Sequence, residues 1–207
     1  MKIERFVLGS LQTNCYLIVN EETRECALFD PATCPEYLQS HIESKNYQLC
    51  GIYLTHGHFD HVMGIDCWAA KYDVPVYLCE KEATVLADPK LNLSAMFGSS
   101  YAYHNTETLK DGEKIEIAGY EFKVIHTPGH TCGSCCYYCE AEKILMSGDT
   151  LFCQSVGRSD FPTGSMGTLV RSIKEKLFCL PEDVMVYPGH NDLTCIADEK
   201  RYNPFVG

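Results

Sequence analysis

The 207-residue sequence predicts a layered α/β fold, and three observations lead to that prediction. Short apolar runs rich in β-branched and aromatic residues alternate with helical patterns in both halves of the chain. The tripeptide Pro-Gly-His occurs twice, at 128–130 and 188–190, each time directly after a strand-like run, which indicates two related halves. No repeat array, low-complexity tract or Gly/Ser linker divides the sequence, so we expect a single domain over residues 1–207.

In the first half, apolar runs predict strands at 3–8, 14–20, 25–29, 49–55 and 75–79. Helical patterns occur at 35–46, 62–72 and 80–87. Pro35 suits the first position of its helix, because the N–H that proline lacks would be unpaired there in any case. The segment 89–108 has no clear periodicity, and we expect it to be irregular and partly helical.

In the second half, apolar runs predict strands at 114–117, 121–126, 135–139, 144–147 and 184–187. The turn signals Asp111-Gly112 and Gly119-Tyr120 flank adjacent strands and predict a meander. One helical pattern, at 168–178, lies between the last two strands. The alternation of strands and helices in both halves therefore favours helices packed in layers on sheets.

The charge balance limits the partners that this chain can have. Its formal net charge is −11, whereas nucleic acids and anionic membranes attract clustered Lys and Arg. No apolar run approaches the roughly 20 residues that span a bilayer, and residues 1–10 lack the apolar core of a signal peptide. We therefore expect a cytoplasmic protein that binds neither nucleic acid nor membrane, and nothing in the sequence implies a protein partner.

The thirteen cysteines of the chain are expected to be free thiols, most of them buried. Their odd number, the missing export signal and the chain length all argue against a disulfide framework. Two Cys-x-x-Cys spacings, Cys132 with Cys135 and Cys136 with Cys139, allow a four-cysteine zinc site as the alternative. In a strand at 135–139, however, Cys136 faces away from Cys135 and Cys139, so the four thiolates would not converge easily.

Three of the eight histidines fall within seven residues, in the heptapeptide Thr-His-Gly-His-Phe-Asp-His at 55–61. Imidazole nitrogens and carboxylate oxygens are preferred ligands of zinc and similar metals. His56 and His58 lie two residues apart, so an extended backbone points both rings to one side. Asp60 and His61 lie where the chain turns into the next predicted helix, which sends them in a different direction. The heptapeptide can therefore serve two neighbouring metal ions.

Three more candidate ligands stand directly after other predicted strands, at the edge where layered α/β proteins usually bind ligands: His130, Asp149 and His190. The first would complete a three-histidine site with His56 and His58. The last would join the other two ligands of the heptapeptide, and the aspartate is a natural bridge because one carboxylate can give an oxygen to each of two ions. We assign structural or surface roles to the remaining histidines, His41, His104 and His126.

The heptapeptide resembles the metal-binding motif of the metallo-β-lactamase superfamily, and other segments extend the likeness over residues 3–206. These segments are Thr-Pro-Gly-His-Thr (127–131), Ser-Gly-Asp-Thr (147–150) and Tyr-Pro-Gly-His (187–190). Further segments resemble those of glyoxalase II-like hydrolases of the short bacterial type: Asp30-Pro31, Gly-Arg-Ser-Asp-Phe-Pro (157–162) and Glu-Lys-Arg-Tyr-Asn-Pro-Phe (199–205).

This resemblance implies a four-layer αβ/βα sandwich, in which two mixed sheets flanked by helices hold two divalent metal ions between them. The ligands implied are His56, His58 and His130 for one ion, Asp60, His61 and His190 for the other, and Asp149 as the bridge. Asp30 would be a carboxylate behind the ligands that orients the heptapeptide, or the residue of a simple turn. Zinc is the expected metal, and iron and manganese are the alternatives.

Some features depart from the family pattern. The chain has no room for the C-terminal helical domain that supplies much of the glutathione site in full-length glyoxalase II enzymes. Asn191-Asp192 follows the last histidine, where relatives commonly have a small Gly-Pro-type turn, and Ser134 stands where many have another histidine. None of these features removes a metal ligand, but they leave the thiol half of the substrate undefined.

The activity that the resemblance implies is hydrolysis of a thioester, such as an S-2-hydroxyacylglutathione, by a hydroxide that bridges the two ions. Asp60 would orient this hydroxide while it binds its metal. Arg158 has two alternative roles, either binding a carboxylate of the substrate or forming a structural pair with Asp160.

Other functions of the same superfamily remain as alternatives. A persulfide dioxygenase with a single iron would use His56, His130 and Asp149, and the ligand inventory does not separate it from the hydrolase. The acidic charge disfavours a nuclease, and the missing export signal disfavours a secreted β-lactamase. A non-catalytic metal-binding protein is disfavoured because a full set of open hydrolytic ligands seldom persists for structure alone.

Overall fold

The computed structural model describes residues 1–206 and contains two mixed six-stranded sheets. The first sheet is formed by the first half of the chain in the order β1-β2-β3-β4-β5-β6. The first three strands pair antiparallel and the last four pair parallel. The strands are β1 (Lys2–Leu8), β2 (Thr13–Val19), β3 (Glu25–Phe29), β4 (Gln48–Tyr53), β5 (Val76–Cys79) and β6 (Glu107–Leu109).

The second sheet has the order β14-β13-β10-β9-β8-β7 and contains the predicted meander. Its strands are β7 (Lys114–Ile117), β8 (Tyr120–His126), β9 (Cys135–Cys139), β10 (Ile144–Gly148), β13 (Met185–Pro188) and β14 (Thr194–Cys195), and a separate hairpin consists of β11 (Leu151–Phe152) and β12 (Ser155–Val156). Strands β10 and β13 pair parallel, so their carboxyl ends lie at the same edge of the sheet. This edge positions two of the candidate metal ligands.

The described residues also form six α-helices, of which the last follows β14: α1 (Glu36–Ser44), α2 (Phe59–Val62), α3 (Ile65–Tyr72), α4 (Ala83–Leu86), α5 (Met166–Ser172) and α6 (Ile196–Tyr202). A 3-10 turn, Glu80–Glu82, leads directly into α4, and a π-helical turn, Ile173–Leu177, extends α5. The Ser165 side chain accepts a hydrogen bond from the Thr168 N–H and so caps α5. Within residues 1–206, no helix is long and apolar enough to cross a membrane.

The hydrophobic core consists of three layers of side chains, which separate four layers of secondary structure. In the middle layer the two sheets pack face to face, and Phe29 of the first sheet meets Tyr137 of the second edge-on, with ring centroids 5.3 Å apart. Burying one such aromatic ring stabilises the fold by roughly 1.5–3 kcal/mol. The two outer core layers lie between each sheet and its helices, so the predicted αβ/βα sandwich is confirmed.

All ten predicted strands are present, but several elements differ from the prediction. The helix predicted at 62–72 begins earlier, at Phe59, and is interrupted near Gly64, so Asp60 and His61 lie within a helical turn rather than before one. The segment 89–108 contributes the short strand β6 as well as a 3-10 turn. The short strands β11, β12 and β14 were not predicted, because two-residue ladders carry no periodicity of their own. Helix α6 was not predicted either.

One expectation about the cysteines is wrong. Cys34, in the loop before α1, and Cys67, in α3, form a disulfide between Cα atoms 6.1 Å apart, where free thiols were expected. The two residues are 33 positions apart, so only the packing of α3 beside that loop brings them within bonding reach. The remaining cysteines in the described part of the chain are free. As predicted, Cys136 packs in a different core layer from Cys135 and Cys139.

Candidate metal centre

The candidate ligands lie at one edge of the sandwich, on four segments that follow strands, one strand of the first sheet and three of the second. The heptapeptide follows β4, and the Pro-Gly-His segment with His130 follows β8. Asp149 comes directly after β10, and His190 follows β13. The two halves are joined here, because the Cys135 N–H donates a 2.9 Å hydrogen bond to the Thr55 carbonyl oxygen. Sequence order and strand pairing therefore bring distant residues to one place.

The first three candidate ligands meet in a buried cluster of imidazoles. His130 Nε2 lies 2.8 Å from His58 Nδ1 and 3.2 Å from His56 Nε2. All three side chains are almost fully buried, and their ligand atoms lie within 4.8 Å of one another. Zinc bonded to nitrogen at about 2.1 Å in a tetrahedral site has neighbouring ligand atoms roughly 3.4 Å apart. The spacing of the three nitrogens is therefore close to that of a metal site.

Hydrogen bonds behind the rings define which nitrogen faces the cluster. Thr55 Oγ1 donates its hydrogen to Asp30 Oδ2 at 2.7 Å, so it accepts a hydrogen from His56 Nδ1 at 3.1 Å. His130 Nδ1 donates to the Arg158 carbonyl oxygen at 2.6 Å. Both rings consequently turn the lone pair of Nε2 towards the cluster. His58 turns Nδ1 instead, and its Nε2 is buried with no hydrogen-bond partner in the described part of the chain.

A second cluster adjoins the first and contains a carboxylate. His190 Nε2 lies 3.3 Å from His61 Nε2 and 3.2 Å from Asp60 Oδ2. His61 Nε2 is 3.7 Å from the same aspartate oxygen. Strand β2 holds the turn that carries His190, because Asn14 Nδ2 donates to the Pro188 and Asn191 carbonyl oxygens at 2.9 Å each.

Asp149 lies between the two clusters. Its Oδ2 is 3.6 Å from both His130 Nε2 and His190 Nε2, and its Oδ1 is 3.4 Å from His61 Nε2. Oδ1 is buried and has no hydrogen-bond partner among residues 1–206. A buried carboxylate oxygen without a partner is costly, so it calls for a cation or donor at this position.

The charges of the two clusters differ. Burial and the neighbouring histidines lower the pKa of His56 and His58 well below the usual range, and burial lowers the pKa of His130, so these imidazoles are neutral and free to bind a metal. For His61, burial acts in the same direction, but three carboxylates, Asp149 foremost, outweigh it and raise the pKa to about 10. The second cluster therefore attracts positive charge. A divalent cation fits both clusters, since one offers neutral lone pairs and the other excess negative charge.

Residues behind the ligands complete the arrangement. Asp30 is buried and accepts hydrogen bonds from the Thr55 N–H at 2.8 Å and from His61 Nδ1 at 3.0 Å, besides the Thr55 hydroxyl. The Thr13 hydroxyl donates to Asp60 Oδ2 at 3.4 Å. Glu82 is completely buried and accepts hydrogen bonds from the loops on both sides of the three-histidine cluster. Burial raises the pKa of Glu82, whereas these hydrogen bonds to the carboxylate lower it.

All seven predicted metal ligands are brought together, whereas the other singled-out residues are placed differently. Arg158 forms a two-pronged pair with Asp160 at 2.8 and 3.0 Å, and its guanidinium lies over the Phe161 ring. His126 contacts the Cys132 carbonyl oxygen and His41 pairs with Glu4, so neither joins the clusters. Sequence reasoning missed Thr55, Asn14 and Glu82; the only sequence signal was that Thr55 belongs to the heptapeptide.

The surroundings of the second cluster include a small apolar pocket. Its volume is about 220 Å³, and Leu11, Phe59, Met63 and Phe97 line it together with Asp60. The rings of Phe59 and Phe97 stack with centroids 4.4 Å apart. A larger cavity of about 620 Å³ lies elsewhere, between β7, β8 and the π-helical turn, and contains none of the candidate ligands.

Comparison with known proteins relates the chain to a large group. The family model described as the metallo-β-lactamase superfamily matches residues 8–190. A probable metallo-hydrolase of Bacillus subtilis, YqgX, is 36% identical over 208 residues, covering 100% of this chain and 98% of that protein. The hydroxyacylglutathione hydrolase GloC of Haemophilus influenzae is 33% identical over 218 residues, with the same coverage.

Solved structures give the same result. The BLEG-1 B3 metallo-β-lactamase is 38% identical and superposes with a TM-score of 0.93, covering 99% of both chains. TTHA1623 in a di-iron-bound form is 33% identical with a TM-score of 0.86, covering 98% of this chain and 99% of that one. ETHE1 from Myxococcus xanthus is 27% identical with a TM-score of 0.81, covering 99% and 84%.

Proposed function

The chain belongs to the metallo-β-lactamase superfamily, and we propose that this metal-dependent hydrolase cleaves a small thioester of the S-2-hydroxyacylglutathione type. The observation that carries the proposal is the pair of adjoining ligand clusters with Asp149 between them. The similarity of this protein to GloC over the whole chain supports a thioester as the substrate. We further propose that it acts in the cytoplasm on a small-molecule substrate and binds neither nucleic acid nor membrane.

The residues of the two clusters would hold two divalent ions, zinc being the metal that we propose. His56, His58 and His130 would bind one ion, Asp60, His61 and His190 the other, and Asp149 both. Two such ions lower the pKa of a shared water towards about 7 and polarise the carbonyl of the substrate. TTHA1623 is a di-iron-bound neighbour, so iron is the first alternative to test.

The protein groups around the clusters would orient the reactants. Burial opposes ionisation of Asp60, but His61 and His190 outweigh it and hold the pKa of this carboxyl below its usual range. Asp60 is therefore ionised and can accept a hydrogen bond from the attacking water. The apolar pocket beside Asp60 offers room for the acyl group. The thioester carbonyl would thus lie between the pocket and the clusters.

The thiol half of the substrate has fewer defined contacts. Glutathione carries carboxylates, which arginine binds well. Arg5 lies beside His190, where it donates to the Asn191 carbonyl oxygen at 3.1 Å and lies 3.7 Å from Asp192 Oδ1. Arg158, at the other side, already pairs with Asp160. A glutathione carboxylate would have to compete with an aspartate at either arginine.

The second candidate function is a persulfide dioxygenase with a single iron. Its ligands would be His56, His130 and Asp149, and the 3.6 Å contact between His130 and Asp149 is compatible with that set. The two candidate functions differ in the metal ligands that they require, because only the hydrolase would need His58 and His61.

Metal analysis of anaerobically purified protein, followed by lactoylglutathione and oxygen-uptake assays on the same sample, tests the proposal. We expect two ions per chain and thioester cleavage that is lost in His61→Ala and retained in His104→Ala, an exposed histidine outside the clusters. One iron per chain, with thiol-dependent oxygen uptake that survives His61→Ala, would replace the hydrolase by the dioxygenase.

A further inference from the structure

Glu82 is a buried acidic residue whose contacts all lead to the candidate metal centre. It ends the 3-10 turn after β5 and has no exposed surface, which is rare for glutamate. Oε1 accepts a hydrogen bond from the Gly57 N–H at 2.8 Å. Oε2 accepts hydrogen bonds from the Gly133 N–H and the Thr131 hydroxyl, each at 2.8 Å.

The donors to Glu82 belong to the two loops that carry the three-histidine cluster. Gly57 stands between His56 and His58, and Thr131 directly follows His130. The first loop follows a strand of the first sheet and the second loop follows a strand of the second sheet. One carboxylate therefore ties together the two halves of the sandwich at the point where their imidazoles meet.

The backbone packing at this point is equally close. A Cβ atom on Gly57 would lie 2.9 Å from the Leu86 nitrogen, and one on Gly133 would lie 2.2 Å from the Glu82 nitrogen. Both loops thus press directly against the segment from Glu82 to Leu86, at glycines that have no side chain to hold them apart. A small movement of this segment would change the distance between the two loops.

We propose that Glu82 is a positioning residue that sets the spacing of His56, His58 and His130 for metal binding. It acts through the loops, since its two carboxylate oxygens are already occupied by three donors. Loss of one acceptor would release the loop after His130 from the heptapeptide. The inference rests on the proposed metal centre but not on the proposed substrate.

The substitution Glu82→Gln tests this role because it keeps the shape and removes one acceptor oxygen. Zinc affinity is measured by competition with a chelator in the His190→Ala background, which leaves the three-histidine cluster intact. We expect Glu82→Gln to weaken zinc binding there by about 10–100-fold, the usual effect of losing a residue that orients metal ligands. In the double variant His56→Ala/His130→Ala, which leaves only one imidazole of that cluster, we expect Glu82→Gln to cause no change.

Glu199→Gln is the matched control. Glu199 is equally buried and accepts hydrogen bonds from the Gln154 N–H, the Thr194 hydroxyl and the Asn203 amide, none of which belongs to the loops of the three-histidine cluster. We expect this variant to unfold at a lower temperature without weaker zinc binding by the three histidines. Unchanged zinc affinity in Glu82→Gln, or equal weakening in Glu199→Gln, would overturn the inference.

A milder pair of variants serves if Glu82→Gln does not fold. Thr131→Val removes one of the three donors to Glu82, whereas Thr131→Ser keeps the hydroxyl. We expect weaker zinc binding in Thr131→Val and wild-type binding in Thr131→Ser; equal affinities would overturn the inference. Because these titrations contain no substrate, a protein that binds zinc but cleaves no thioester would refute the proposed function alone.

Discussion

The substitution Asp30→Asn tests how a carboxylate behind the ligands fixes the proton of His61. Asp30 has a left-handed backbone with φ of 48°, which asparagine and aspartate adopt more readily than other side chains, so the fold is kept. The carboxylate accepts three hydrogen bonds, from the Thr55 N–H, the Thr55 hydroxyl and His61 Nδ1. An amide that keeps its oxygen on the Thr55 N–H turns its NH₂ group towards the hydroxyl and His61.

The size of the effect follows from the position of the His61 proton. Facing an NH₂ group, His61 Nδ1 becomes an acceptor and its hydrogen moves to Nε2. Nε2 is the atom that lies 3.3 Å from His190 Nε2 and 3.7 Å from Asp60 Oδ2, so the lone pair needed for a metal is lost. We expect the second cluster to bind zinc about 10–100-fold more weakly, or roughly 1.4–2.8 kcal/mol.

The assay is a zinc titration with a competing chelator in the double variant His56→Ala/His130→Ala, which isolates the second cluster. Asp183→Asn is the control, because Asp183 forms an exposed pair with Lys143 on the surface. We expect the control to bind zinc as the parent does. Unchanged affinity in Asp30→Asn would refute the argument from the imidazole proton.

Four other expectations can be tested on the same protein. Asp149→Ala should lose thioester hydrolysis and part of its metal; full metal content with retained hydrolysis would contradict the bridging role. Because the pKa of His61 is raised to about 10, zinc must displace a proton from this side chain at any lower pH. Calorimetry at about pH 8 in two buffers should therefore find that zinc binding releases about one proton more from the second cluster than from the first. Equal proton release from the two clusters would count against the charge assigned to His61. Arg158→Ala should leave the unfolding temperature unchanged because the side chain is exposed, and a large rise in KM for glutathione thioesters would instead assign it to substrate binding. Phe97→Ala should raise KM for thioesters with branched acyl groups by roughly tenfold, whereas Met96→Ala, an exposed neighbour that does not line the pocket, should not; equal KM values would exclude the pocket as the acyl site.

The ligands were accessible from the sequence because the family pattern is local. Three histidines and an aspartate within seven residues indicate metal binding without any knowledge of the fold. The other three ligands could be placed because each follows a strand, and strand ends meet at one edge of a layered sheet. The strands themselves were visible as apolar runs, since every side chain in β2 and β9 is buried.

Other features were decided only by the tertiary structure. Glu82 lies 25 residues from Gly57 and 49 from Thr131, so its three hydrogen bonds leave no trace in local sequence. The same holds for the bond between Cys34 and Cys67 and for the imidazole nitrogen that each histidine presents. Sequence periodicity reports which face of an element is buried, whereas these contacts depend on how separate elements pack against each other. The identity of the ligands could therefore be predicted from the sequence, whereas their orientation depends on how the chain folds.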